Sequence, residues 1–221
     1  MREWLRSAVS GVLSRAKRPL GRYRFRRAVN TKTSPLRIEL GAWTTERPGW
    51  ISTDVHWRGR TYLDGTRAWP IPDESVEFIY ADNVIEHLSL EQNRYLLAEA
   101  HRVLRPGGRI RLVTPDIGAL VQTYLADEEH ARPLREELAA EGYLVAHQVD
   151  VLRFAFQDDG HSQGYLWDEV SLSTELVKAG FSHWCTYVAG VSDEPDLCGL
   201  ESRTGTPVAD ICIVMEAEKA Q

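Results

Sequence analysis

At 221 residues and 43% hydrophobic, the chain has room for one well-buried domain and an appendage, but not for two full-sized domains. Its net charge of -6 is uneven: residues 1–34 carry ten Lys/Arg against the single acid Glu3, for +9, and residues 35–221 carry sixteen against thirty-one, for -15. Cys185, Cys198 and Cys212 show neither metal-ligand nor redox spacing, and no apolar run approaches the roughly 20 residues of a membrane span, so a zinc site, a disulfide framework and a spanning helix are all disfavoured and a cytoplasmic setting is expected.

The basic arm opens with Trp4, Leu5, Ala8, Val9, Val12, Leu13, Ala16 and Leu20 at helical spacing, which predicts an amphipathic helix. Two placements stay open. The helix docks on the domain core, or residues 1–20 lie on an anionic membrane surface as a peripheral anchor. The next stretch, GRYRFRRAVNTKTS, has no apolar period and reads as a basic linker, so residues 1–34 form helix plus linker and residues 35–221 the domain.

From Pro35 onward strands and helices alternate, the pattern of an α/β fold on a mostly parallel sheet. Seven strands are predicted: LRIEL (36–40), GWISTD (49–54), TYLDG (61–65), SVEFIYADN (75–83), RIRLVTP (109–115), HWCTYVAG (183–190) and ADICIVMEAE (209–218), the last pair antiparallel. Ser89 and Gln92 make a capping box ahead of a helix that RPGG (105–108) ends. Helical stretches are expected over 117–126 and 133–156, and Asp168 caps another that stops at Gly180.

Gly41 to Pro48 offers only eight residues between the first two strands, where a parallel crossover needs a dozen or more. The first crossover is therefore shortened, one sheet face lacks its helix, and the N-terminal helix is the segment expected to fill it, through Trp4, Val9, Val12 and Leu13. Gly41 permits close backbone approach to a ligand, and the Gly41 and Ala42 amides suit an anionic group. Asp54, at the tip of the second strand, is placed to accept from both hydroxyls of a ribose.

The succession ELG, WPIPDESVEFIYADNVIEHL and AHRVLRPGGRIRLVTPD resembles the class I S-adenosylmethionine-dependent methyltransferases, most of all the small type 11 group. The resemblance covers about residues 36–126. It implies a Rossmann-like, doubly wound sheet with an antiparallel last strand, S-adenosylmethionine as cofactor, and an acceptor-side insertion over 117–165. Cofactor contacts are then implied at Glu39, Gly41, Ala42, Asp54, Asp64, which would face adenine, and Asn83. Ala42 and Trp43 depart from the family's G-x-G-x-G loop, and Trp43 is left to stack on the cofactor, plug the pocket or cover the core. Glu86 and His87 read equally as a helix-entry pair and as chemistry.

Methyl transfer from a sulfonium is an in-line displacement that needs alignment and, for a hydroxyl acceptor, a base. His161, oriented by Asp158 or Asp159, is the first candidate base and Asp116 the second. The absence of an N-P-P-[YF] run favours oxygen over amino acceptors, and the acidic domain favours a small molecule or glycan over nucleic acid. The basic arm keeps RNA open as an alternative acceptor. A catalytically silent binding module and a nicotinamide-dependent oxidoreductase are the competing classes, the second weakened by the missing G-x-G-x-x-G.

Overall fold

The computed structural model describes residues 2–32, 35–56, 58–157 and 163–221, with side chains of the N-terminal helix described from Ala16 onward. In chain order the elements are α1 (Arg2–Thr31), β1 (Leu36–Leu40), β2 (Ile51–Ser52), β3 (Val76–Asp82), α2 (Leu90–Val103), β4 (Leu104–Pro115), α3 (Ile117–Leu125), α4 (Glu128–Ala140), α5 (Asp150–Gln157), α6 (Glu169–Lys178), β5 (Phe181–Thr186), α7 (Pro207–Asp210) and β6 (Cys212–Lys219). The sheet runs β2-β1-β3-β4-β6-β5, with β6 antiparallel to both neighbours and β1 to β4 mutually parallel. This is the expected α/β architecture with its antiparallel last strand. Ser89 and Gln92 close their capping box, and Asp168 caps α6.

The sheet has six strands among the described residues rather than seven. TYLDG contributes a single bridge, Thr53 to Thr61, because the short connection after Asp54 cannot lay a full parallel strand beside β2. The expected basic linker is also helical. Gly21, Phe25 and Val29, four residues apart, form a docking line that carries α1 through to Thr31. Gly21 is required there, since a Cβ would come within 2.8 Å of Tyr62 Cβ.

Register separates the two faces of the sheet. Ile38, Ile79, Ile110 and Ala217 are aligned across β1, β3, β4 and β6, and so, one residue on, are Glu39, Tyr80, Arg111 and Glu216. The apolar face is covered by Leu96 and Leu97 of α2, Leu172 and Leu176 of α6, and Phe25 and Val29 of α1. Steps from β1 to β2 and from β3 to β4 run in opposite directions along the sheet, so a right-handed crossover helix after β1 would lie opposite α2. From Ala16 onward the N-terminal helix packs on the α2 face, through Phe25 and Val29, and not on the bare one; the residues proposed to cover that face, Trp4, Val9, Val12 and Leu13, lie outside the described side chains.

Residues 187–211 supply the missing cover. Leu197 and Leu200 pack on Phe78, Tyr80, Val113 and Val214, with Trp50 at the margin. Polar contacts do the rest: Arg111 meets Glu201 and Glu216, Arg109 meets Asp193, and Arg37 meets Asp196. A separate cluster, Leu120, Leu134, Leu138, Val151, Phe154, Val208 and Ile211, caps the end of β4 with α3, α4, α5 and α7.

Candidate active site at the strand tips

The tips of β1, β2, β3 and β4 carry Gly41, Ala42, Asp54, Asn83 and Asp116, and the contacts show what each does there. Gly41 has φ +69°, and a Cβ on it would sit 2.4 Å from Val84 Cγ2. Glycine is needed for the chain's own closure between β1 and β3. The Ala42 amide donates to Thr53 O at 2.9 Å. It is therefore engaged within the loop rather than presented to an anion.

Asp54 lies buried at the tip of β2 and accepts from Trp43 N at 2.7 Å through Oδ2 and from His56 N at 2.6 Å through Oδ1. Those bonds hold the shortened loop against the turn after β2. Trp43, 51% exposed, stacks on His56 with ring centroids 4.3 Å apart. Glu39 is on the sheet face that residues 187–211 cover, where Ser52 Oγ donates to it at 2.5 Å and Arg47 Nη2 at 3.2 Å. Asp64 accepts from Thr66 Oγ1 at 2.7 Å and Arg67 Nε at 3.1 Å, and it lines a cavity shared with Arg22, Phe25 and Arg26 of α1.

A second cavity, about 120 Å³, opens at the tips of β3 and β4 between Asn83, Glu86, His87, Tyr143, Arg203 and Cys212. Asn83 adopts φ +52°, and its side-chain amide, oriented with Nδ2 toward Glu86, donates to Glu86 Oε1 at 3.0 Å while its oxygen faces Arg203. Thr114 Oγ1 donates to Glu86 Oε2 at 3.2 Å. Glu86 is only 4% exposed, and burial pushes its carboxyl up to about 8, against the pull of its hydrogen bonds. Asp82 is also raised by burial, with Arg203 opposing at 3.7 Å. The Cys212 thiol, raised to about 12 by burial, donates to Val208 O.

Asp116 caps α3 by accepting from Gly118 N at 2.8 Å, immediately after β4. His161, Asp158 and Asp159 lie outside the described residues. The residue that sequence reasoning undervalued is Glu86. Its motif was visible, but its setting depends on Thr114 of β4 and on the left-handed turn at Asn83, and Arg203 arrives from an irregular segment that gives no sequence signal.

The sheet order is that of a Rossmann-like α/β fold with an antiparallel last strand. Residues 51–112 match the family described as Methyltransferase domain, in keeping with the resemblance of the sequence to class I S-adenosylmethionine-dependent methyltransferases. No curated protein matches the chain. Among solved structures it resembles the citrinin polyketide synthase CMeT domain (16% identity, TM-score 0.48, covering 89% of this chain and 50% of that one). It also resembles human N-acetylserotonin methyltransferase in complex with SAM (16%, 0.48, 89% and 52%), and a SAM-dependent methyltransferase from Thermotoga maritima (15%, 0.45, 99% and 96%). The chain spans about half the length of the first two.

S-adenosylmethionine is the cofactor that the match over residues 51–112 supports, and the strand tips suit it. Asp54 uses one bond per oxygen, leaving further lone pairs for a diol. Asp82 Oδ1 is buried without a hydrogen-bond partner, a site for an ammonium group.

Proposed function

We propose that the chain methylates a hydroxyl of a small molecule or sugar, received in the cavity bounded by Asn83, Glu86 and Arg203. Bound S-adenosylmethionine would supply an electrophilic methyl group on a sulfonium. Asp54 would hold the ribose and Asp82 the ammonium end. The observation that carries the reading is Glu86: a buried carboxyl poised near 8, fixed by Thr114 and Asn83 at the edge where the acceptor would enter.

In its ionised form Glu86 would take the acceptor's proton as the new C–O bond forms, and a base of this strength suits an acidic hydroxyl such as a phenol. Thr114 and Asn83 orient the carboxylate. Asp116, with one oxygen committed to capping α3, is the weaker candidate base. His161 stays in the proposal as the alternative. The closed loop favours one second reading, a catalytically silent binding module, since the Ala42 amide and both Asp54 oxygens are already engaged.

Calorimetric titration with S-adenosylhomocysteine and NAD in parallel tests the cofactor, and incubation with S-adenosylmethionine and a panel of phenols and sugars tests the acceptor. Binding of S-adenosylhomocysteine followed by methylated oxygen is expected. Binding without turnover on any acceptor supports the silent module, and binding of NAD alone sinks both.

A further inference from the structure

At 1.5 Å per residue, α1 spans about 45 Å, and its described side chains rest on the domain along one short line. Gly21, Phe25 and Val29 are buried, while every residue from Ala16 to Leu20 is exposed. On the other side of the same turns stand Leu20 and Tyr23, 50% and 61% exposed. At 100° per residue they lie roughly 140–160° from Phe25 around the helix axis. The apolar period of residues 4–20 runs in phase with Leu20 and Tyr23 and out of phase with Phe25 and Val29. The sequence of the helix therefore carries two apolar stripes nearly opposite one another, and among the described side chains the domain uses the one through Phe25.

Cations border the outward face. Arg24 and Arg27 are exposed, and together with Lys32, Arg47 and Arg60 they line a groove of about 550 Å³ between α1 and the β2 edge, with Glu46 the acid among its lining residues.

We propose that the outward stripe of α1, with Arg24 and Arg27 beside it, docks on an anionic lipid surface. Leu20 and Tyr23 enter the headgroup region, and the arginines meet lipid phosphates. Charge complementarity selects this occupant: +9 on residues 1–34 is drawn to the surface, while -15 on residues 35–221 is repelled, which turns the helix toward the lipid. A nucleic acid would use the arginines and leave Leu20 and Tyr23 without a role. A second copy paired symmetrically along the stripe would set Arg24 and Arg27 near their own counterparts.

The test is co-sedimentation of the full chain with phosphatidylcholine vesicles, with and without phosphatidylglycerol, at low and high salt. Binding should need the anionic lipid and weaken with salt. Leu20→Ser/Tyr23→Ser and Arg24→Glu/Arg27→Glu should each lower partitioning by about tenfold or more at an unchanged melting temperature, since all four side chains face solvent. Slowed amide exchange over residues 16–24 on adding vesicles should accompany binding of the unaltered chain, a readout that needs no variant. The proposal is overturned by equal binding to neutral vesicles or by none. It also falls if the Leu20/Tyr23 variant binds as well as the parent, if the stripe instead mediates a dimer that this variant dissolves, or if RNA rather than vesicles is retained through Arg24 and Arg27.

Discussion

The guanidinium of Arg111 meets both carboxylate oxygens of Glu201, at 2.7 and 2.9 Å, joining β4 to a segment ninety residues further along the chain. Arg111 is fully buried, and Glu216 of β6 completes its coordination at 2.5 Å. A cation so enclosed is tolerated only while both acids remain. Glu201→Ala should therefore destabilise the fold by about 3–5 kcal/mol in urea titration. Replacing Arg111, Glu201 and Glu216 together with apolar residues of similar volume should recover most of that loss.

Glu86 makes stability fall with pH over a defined window. Its folded value near 8 lies above the unfolded value of 4.5, so between these the folded state binds more protons. Stability from this group is complete below about 4.5 and lost as pH rises through about 8. Glu86→Gln, neutral throughout, should flatten the decline of melting temperature across that range. A variant that declines as steeply as the parent would show that Glu86 does not titrate there.

Asp54 holds the shortened loop through Trp43 N and His56 N. Asp54→Ala should weaken S-adenosylhomocysteine binding by roughly 1.5–3 kcal/mol per charge-assisted bond lost. It should also shift Trp43 emission as the stack on His56 loosens. Unchanged affinity in a folded variant would remove Asp54 from the cofactor site.

Gly41→Ala is expected to destabilise by about 1–3 kcal/mol, from its left-handed φ and from the clash with Val84. Val84→Ala should relieve the clash and not the backbone strain. Partial rescue in the double variant, measured by thermal melting, separates the two contributions.

Six of the seven strands, the Ser89–Gln92 capping box, the Asp168 cap and the missing crossover were legible because each rests on local chemistry: alternating burial, a Ser-x-x-Gln spacing, a loop of eight residues. What covers the bare face was not. Residues 187–211 are polar and irregular, and their fitness for the task appears only when Glu201 is set against Arg111 and Asp193 against Arg109. The docking line of α1 was nearly legible, since Phe25 and Val29 are four apart, but the stronger period of residues 4–20 pointed the other way. At the site, Asp54 and Asn83 could be placed at strand ends from sequence. Their amide and carboxylate partners, fixed by tertiary register, could not.

The sheet order has a consequence for synthesis. β6 sits between β4 and β5, so β5 is made before the strand that will hold it, and the charged face of β1, β3 and β4 waits for residues 187–211 as well. A growing chain that has already delivered α2 and β4 still exposes Arg111 to solvent and leaves the β4 edge unpaired. Folding of this domain on the ribosome is then completed late, when its last strand emerges, and truncations ahead of residue 212 should yield species that aggregate through that open edge.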